Sequence, residues 1–307
     1  MYFPLASLSR LLVTGKDRAK YLHNFCTNNI KELPPGKACE AFFCDVKARI
    51  IAHGYVLAFD DCHEIWMLGG DEPGLLNHLN RYIIMEDVVI TSMTAATATF
   101  GATDTDSIES LLSAAHGAQN LPGNSLDCRK LELNLANSKP IPANILHVTW
   151  ADTPVLWIAV PVSSGAVSLP DFPDAVTLRF EQLRIRARFP IVSHDMTIEN
   201  MAPEAERNAA AISYVKGCYL GQEPIARLDA MGHVNRALRC VESEISAAQL
   251  MGTSIFTDDG TTIGTVTSAA GNEHGAIGLT MLRTNAIQKP LHVIVDGQNR
   301  AVKVVSQ

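Results

Sequence analysis

The sequence predicts an α+β protein that ends in a small all-β unit. Residues 11–25 have the pattern of a strand followed by a helix, with Leu22 and Phe25 on one helical face. Strand and helix patterns then alternate as far as residue 90. After Arg236 the pattern changes to short strands separated by turns, which is typical of a barrel or a sandwich.

The sequence predicts alternating strands and helices in the N-terminal part of the chain and a series of short strands in the C-terminal part. Segments rich in apolar and β-branched residues predict N-terminal strands at 11–15, 41–44, 50–57, 64–68 and 87–90. Helical spacing predicts helices over 16–25 and 72–82. The stretch 95–176 is weakly patterned, with two strands at 145–150 and 155–160, and a regular element resumes over 180–187. The C-terminal strands are expected at 240–243, 254–256, 263–267, 276–279 and 291–295.

Size and composition are those of a globular protein with several packed units. The 307 residues exceed one ordinary core and predict two or three units of about 100 to 150 residues. Hydrophobic residues make up 47% and charged residues 19%, with a mean hydropathy of +0.09, which excludes a disordered chain. No apolar run approaches the roughly 18 residues of a membrane helix, so no membrane partner is expected.

Net charge and cysteine content indicate which partners, which compartment and which metal sites to expect. The formal net charge of -7 makes a nucleic acid partner unexpected. The N-terminal residues lack a secretory or organelle-targeting pattern, which predicts a cytoplasmic protein whose seven cysteines stay reduced. No two cysteines form a C-x-x-C pair, so no self-contained metal site is predicted.

Four arginines, Arg179, Arg184, Arg186 and Arg188, crowd into ten residues. A solvated face of the element that carries them is favoured over a contact with phosphate or polyglutamate.

The segment 216–223, Lys-Gly-Cys-Tyr-Leu-Gly-Gln-Glu, is the most informative part of the chain. Gly217 and Gly221 permit positive φ angles, so the segment can turn and present Cys218. If it is extended, Lys216 points to the same side as Cys218, and its ammonium promotes the reactive thiolate. The alternative is a small buried cysteine in a tight turn, and the residues alone leave both open.

This segment resembles the signature of the YgfZ-type folate-binding proteins, a branch of the glycine-cleavage T-protein (aminomethyltransferase) superfamily linked to iron-sulfur protein maturation. The stretches 27–30, 43–56 and 183–203 fall in the order and spacing of that family. The resemblance implies a three-domain fold around a central cavity, with an approximate repeat between the first two domains and a C-terminal β-barrel. The implied bounds are 1–45 with 175–236, 46–174 and 237–307, and the discontinuous first domain carries the motif.

Two carboxylates of the aminomethyltransferases are absent at the matching positions. The aspartate that positions the reactive folate nitrogen falls at Ala52 or His53, and the glutamate that anchors the pterin is replaced by Arg186. A guanidinium only donates hydrogen bonds, so it cannot accept those of a pterin. His53 is a candidate acid or base, with a satisfied structural histidine as the commoner alternative.

The remaining candidates for cofactor binding surround the motif. Lys47 and Arg49, in a turn with Ala48 where the family has glycine, either face the cavity or are solvated cations. Asn28 and Asn29 suit an Asx turn, and family precedent implies a ligand contact. The predicted site is completed by Tyr219, Gly221, Gln222, Glu223 and Arg227. Secondary candidates for the missing acceptor are Glu199, Glu204 and Glu206.

The resemblance implies functions of different classes. In the first, Cys218 and Lys216 are the catalytic residues of a factor that assembles or repairs iron-sulfur clusters, with iron-sulfur client or assembly proteins as partners. One cysteine cannot hold a cluster that takes four thiolates, so a partner must share it. In the second, the protein is a tetrahydrofolate-dependent aminomethyltransferase, which the lost carboxylates disfavour. A third is an accessory role in tRNA modification. Tetrahydrofolate or a related folate is the implied cofactor.

Overall fold

Three units, each built on one sheet or barrel, make up the structure. The computed structural model describes residues 2–5, 7–103, 125–133, 140–162 and 174–305, with the backbone alone for 174–176. Within these ranges the chain forms two five-stranded antiparallel sheets and a closed six-stranded barrel. None of the helices in these ranges is both long and apolar enough to cross a bilayer.

The first sheet is formed by the N-terminal part of the chain. After β1 (Tyr2–Pro4), which joins the second sheet, its strands are β2 (Leu8–Thr14), β3 (Ala38–Cys44), β4 (Ile50–Ala58), β5 (His63–Leu68) and β6 (Val89–Ser92). They lie in the order β3-β4-β5-β2-β6. Helices α1 (Arg18–Phe25) and α2 (Glu72–Asn80) cover one face of this sheet, because Leu22, Leu75 and Leu79 pack into the same core.

The second sheet repeats the topology of the first. Its strands are β1, β7 (Thr97–Ala102), β8 (Cys128–Leu133), β9 (Ile141–Trp150) and β10 (Thr153–Pro161), in the order β1-β7-β10-β9-β8. The run β7-β10-β9-β8 matches β2-β5-β4-β3 strand for strand, although the sequence contains no visible repeat. The two sheets therefore show the approximate repeat that the resemblance implies.

An aromatic core lies between the two sheets. Trp66 of β5 and Trp150 and Trp157 of β9 and β10 belong to one cluster with Phe180 and Phe189. Phe180 lies on helix α3 (Asp174–Arg186), which corresponds to the regular element expected over 180–187. This helix therefore joins the two-sheet body to the segments that follow it.

A short helical region and the barrel complete the chain. A 3-10 turn (Ala202–Ala205), α4 (Asn208–Ala211) and α5 (Gln222–Met231) precede the barrel. The barrel elements are β11 (Arg236–Ser243), α6 (Ala247–Leu250), β12 (Ser254–Thr257), β13 (Thr262–Asn272), β14 (Gly275–Arg283), β15 (Leu291–Val295) and β16 (Gln298–Val304). The strands close in the order β11-β14-β13-β12-β15-β16, which confirms the predicted C-terminal barrel.

One expected domain boundary does not match the strand pairing. A boundary at residue 45 falls inside the hairpin of β3 and β4, whose register pairs Phe42 with His53 and Ala41 with Gly54. Since hydrogen bonds join the two strands along their length, the first sheet continues through residue 45. Parts of the weakly patterned stretch, residues 104–124, 134–139 and 163–173, lie outside the described residues.

A buried ion pair joins α3 to the barrel. Arg184, 1% exposed, donates to Asp195 Oδ2 at 2.7 Å and to Ser268 Oγ of β13 at 2.7 Å. Asp195 also accepts hydrogen bonds from Thr267 and from the Ile191 amide. Burial alone would raise the pKa of Asp195, but Arg184 and these donors outweigh it and lower the pKa.

We predict that Asp195→Ala lowers the free energy of unfolding by about 3 to 5 kcal/mol at pH 7, because it leaves Arg184 buried without its main partner. Since the pKa of Asp195 is lowered by folding, its contribution is present above pH ~4 and shrinks as the pH falls below that value. Chemical denaturation measures both effects. Glu181→Ala, which removes a partly exposed partner of Arg184, should cost about 1 kcal/mol or less. Equal losses for the two variants would contradict this role.

Candidate functional site

The motif forms the loop before α5, and Cys218 lies on its exposed side. All seven cysteines fall within the described residues, and Cys218 is the one that is exposed. Burial raises the pKa of the other six thiols, which are Cys26, Cys39, Cys44, Cys62, Cys128 and Cys240. These six are held neutral and covered, so Cys218 is the thiol that can meet a reagent or a partner.

Lys216 points away from solvent and anchors the loop to α1. Its Nζ donates to the carbonyl oxygens of His23 at 2.5 Å, Cys26 at 2.8 Å and Asn28 at 2.7 Å. The ammonium also lies 4.7 Å from the centroid of the Tyr219 ring. An ammonium has three hydrogens, and all three are used. The expected pairing of this ammonium with the Cys218 thiol is therefore corrected: the cation stabilises the C-terminal end of α1.

The residues after Cys218 are also held in place by contacts with α1 and with the turn between β3 and β4. Tyr219 is buried, and the Leu220 amide donates to the Asn24 carbonyl at 2.9 Å. Gly221 has φ +82°, and a Cβ there would lie 2.5 Å from the Asp45 carbonyl oxygen. Glycine is therefore required at this close approach of two backbones. Cys218 is exposed between two anchored neighbours.

The turn between β3 and β4 packs against the motif at Gly221. Asp45 Oδ1 accepts from the amides of Lys47 at 2.8 Å and Arg49 at 2.9 Å. Ala48 occupies the family's glycine position with φ 61°, a left-handed conformation that costs a non-glycine residue roughly 1 kcal/mol. Ala48 packs against Gly221, so the turn keeps the glycine-like backbone without the glycine.

A groove of about 620 Å³ lies beside the Cys218 loop. Its lining comprises Val46, Met201, Tyr219, Leu220, Gly221, Gln222, Glu223, Pro224, Arg227 and Leu228. The structure thus brings five of the predicted cofactor-binding residues to one surface. Lys47 and Arg49 do not line this groove, and Arg49 instead donates to the Glu199 carbonyl oxygen.

His53 is buried away from this groove. Its Nε2 lies 2.8 Å from Glu40 Oε1, and its ring stacks on Phe42 with centroids 4.4 Å apart. His53 is therefore a buried histidine whose hydrogen bond is satisfied within the core. It does not line the groove, so the expectation that it belongs to a cofactor site there is wrong. Asn28 likewise has a backbone role: its Oδ1 accepts from the amide of the next residue, Asn29, and its Nδ2 donates to the carbonyl oxygens of Glu40 and Ala210. An Asx turn uses the amide two residues on, so these contacts differ from the expected turn. Asn29 Nδ2 donates to Glu32.

Glu40 and Arg207 form a buried pair that sequence reasoning missed. Arg207 reaches both carboxylate oxygens of Glu40 across 167 positions of sequence. Burial alone would raise the pKa of Glu40, but the charge of Arg207, followed by His53, lowers it to about 2. The available signal was a lone carboxylate within the otherwise apolar strand β3.

Arg186 lies in a second cavity, of about 480 Å³, that shares no lining residue with the groove. Arg188, Arg207 and Glu206 line the same cavity. The four clustered arginines do not all share one solvated face, as was expected, because Arg184 is buried while Arg179 and Arg186 are exposed.

The secondary carboxylates differ in position. Glu206 accepts from Arg239 Nη2 at 2.6 Å and lies 3.5 Å from Arg188 Nη1. Glu204 does not line this cavity and accepts from Asn200 and the Met201 amide, while Glu199 is exposed. The carboxylate that lines the cavity is therefore already held by arginines. A pterin needs an unengaged acceptor there, so these residues do not fit a folate in the aminomethyltransferase manner.

The fold is that of the glycine cleavage T protein. The structure superposes on the aminomethyltransferase T of the Bartonella henselae glycine cleavage system with a TM-score of 0.77, covering 99% of this chain and 84% of that one, at 14% sequence identity. The predicted α+β class and T-protein-like fold are thereby confirmed. No family model matches the chain.

Sequence comparison finds relatives within one branch of the proteins that share this fold. The "tRNA-modifying protein YgfZ" of Sodalis glossinidius is 24% identical over 301 residues, covering 92% of this chain and 84% of that protein. A chloroplastic protein of Arabidopsis thaliana is 25% identical over 281 residues, 89% of this chain, although the chain spans only 62% of its length. The human mitochondrial "Iron-sulfur cluster assembly factor IBA57" is 33% identical over 85 residues, 27% of this chain and 23% of that protein. These similarities confirm the resemblance to YgfZ-type proteins that the motif predicts.

We predict that Gly221→Ala lowers the free energy of unfolding by about 2 to 4 kcal/mol, since it adds a left-handed alanine and a clash with the Asp45 carbonyl. Gly232→Ala is the matched control, because Gly232 has φ +73° and nothing within 4 Å of an added Cβ. It should cost only about 1 kcal/mol. Chemical denaturation of both variants measures the two losses in unfolding free energy. Equal losses would show that Gly221 is not in close contact with the turn between β3 and β4.

Proposed function

We propose that the protein acts in the assembly or repair of iron-sulfur proteins and that the thiol of Cys218 is the group through which it acts. One observation carries the proposal: Cys218 is exposed between neighbours that the fold holds in place. A thiol needed only for packing would be covered, as the other six are.

Cys218 alone cannot hold a cluster. Clusters typically take four thiolates, and in the described part of the chain no three His, Cys, Asp or Glu side chains converge to hold a metal. On this proposal a partner protein brings the cluster and supplies the other ligands. Cys218 loses its proton to solvent as its sulfur takes one ligand position, so binding is favoured as the pH rises.

The groove beside the loop gives a partner a surface on which to dock. It combines apolar walls, including Val46 and Leu228, with the exposed pair Arg227 and Glu223, whose charged groups lie 3.7 Å apart. The human relative is an iron-sulfur cluster assembly factor, which supports the same assignment. Aminomethyl transfer lacks such support, because the cavity offers no unengaged acceptor for a pterin. No step is therefore assigned to tetrahydrofolate.

We predict that Cys218→Ser fails to restore iron-sulfur enzyme activity, measured as aconitase activity, in cells that lack their own homologue of this protein. The exposed side chain makes no packing contribution that serine cannot match, so yield and thermal stability should equal those of the wild type. Cys62→Ala, which removes a buried thiol of the first unit, is the control and should restore activity. Full rescue by Cys218→Ser would refute the thiol role.

A role in tRNA modification is the second candidate, because the YgfZ relatives carry that name. The net charge of -7 argues against direct tRNA binding. An iron-sulfur role can reach tRNA indirectly if the modifying enzyme contains a cluster. A salt-dependent mobility-shift assay with tRNA separates the two: tight binding by this protein alone would favour direct action, and its absence would leave the indirect route.

A further inference from the structure

The cavity at the end of α3 has an unusual concentration of positive charge. It has a volume of about 480 Å³ and lies where α3, α4 and strand β11 meet. Arg186, Arg188 and Arg207 line it together with one carboxylate, that of Glu206. The rest of the wall consists of the small apolar side chains of Ala151, Ala187, Ala209, Ala210, Cys240 and Val305. Ala151 comes from the turn between β9 and β10. The volume is in the range typical of small-molecule sites.

The charges of the cavity do not balance. Arg207 is matched by Glu40, which does not line the cavity, and Glu206 is shared between Arg188 and Arg239. The guanidinium of Arg186 makes no hydrogen bond or ion pair with any described residue. Excess positive charge therefore faces the cavity in a chain whose formal net charge is -7.

Backbone and electrostatic strain occur at the same place. Arg188 and Glu206 are both non-glycine residues in the left-handed region, with φ angles of 51° and 52°. Burial, and then the charge of Arg207, lowers the pKa of Arg188; burial, and then Arg188, lowers the pKa of Arg239. Like charges are thus held close together, an arrangement that a bound anion would relieve.

We propose that this cavity binds a small organic anion, a carboxylate or phosphate carried on a compact apolar body, with Arg186 as the principal contact. A guanidinium presents a planar fork of donors that matches two oxygens of a carboxylate or phosphate. The apolar wall receives the uncharged part of the ligand. This site is separate from the Cys218 groove, so it stands or falls independently of the proposed function.

Isothermal titration of the full chain at low ionic strength tests the proposal with two probes, citrate as the carboxylate and pyrophosphate as the phosphate. We expect at least one probe to bind the wild type and to bind Arg186→Gln at least tenfold more weakly. Arg179→Gln is the matched control, because it removes the same charge from an exposed position on α3 that does not line the cavity. It should bind as the wild type does. Failure of both probes to bind the wild type, or equal affinity for Arg186→Gln, would overturn the proposal.

A charge reversal tests the same contact from the opposite side. Arg186→Glu replaces a donor with an acceptor, so it should abolish binding of the anion and gain affinity for 6-hydroxymethylpterin, a neutral ligand rich in donors. Thermal unfolding checks that the exposed substitution leaves the fold intact. Binding of the neutral pterin to the wild type as tightly as to Arg186→Glu would contradict selection for an anion.

Discussion

The buried ammonium of Lys216 is the contact on which the geometry of the motif depends. It gives all three hydrogens to carbonyl oxygens at the end of α1, about 190 positions earlier in the chain. Burying a charge is costly unless it is paired or fully hydrogen-bonded, so this arrangement persists only while the carbonyls stay in place. The loop and α1 therefore hold one another, and the exposure of Cys218 follows from the way its neighbours turn inward.

The fold builds two separate features around the helical region, and they share no lining residue. Before α5, backbone packing of Gly221 against Asp45 leaves a thiol exposed beside a largely apolar groove. After α3, arginines crowd a cavity around the single carboxylate of Glu206. On the two proposals, the first arrangement contacts another protein and the second binds a small anion. Both are roles other than aminomethyl transfer on a T-protein-like fold.

Local patterns predicted the elements, whereas distant pairings did not follow from them. The spacing of Leu75 and Leu79 and the short C-terminal strands were sufficient for α2 and for the barrel. The direction of Lys216 could not be predicted, because its acceptors are carbonyls on α1 and the turn that follows it. The burial of His53 depended on Glu40 across a hairpin whose register the sequence does not specify.

Alkylation of the native protein with iodoacetamide, followed by mass spectrometry of its peptides, tests the central claim most directly. We expect one label per wild-type molecule, at Cys218, and seven labels after denaturation. Lys216→Met removes the hydrogen bonds that anchor the loop, including the one to the carbonyl oxygen of Cys26. A second label should therefore appear at Cys26, which is buried in the wild type. An unlabelled Cys218 in the native wild type, or rapid labelling of several cysteines, would contradict the claim that the fold presents a single thiol.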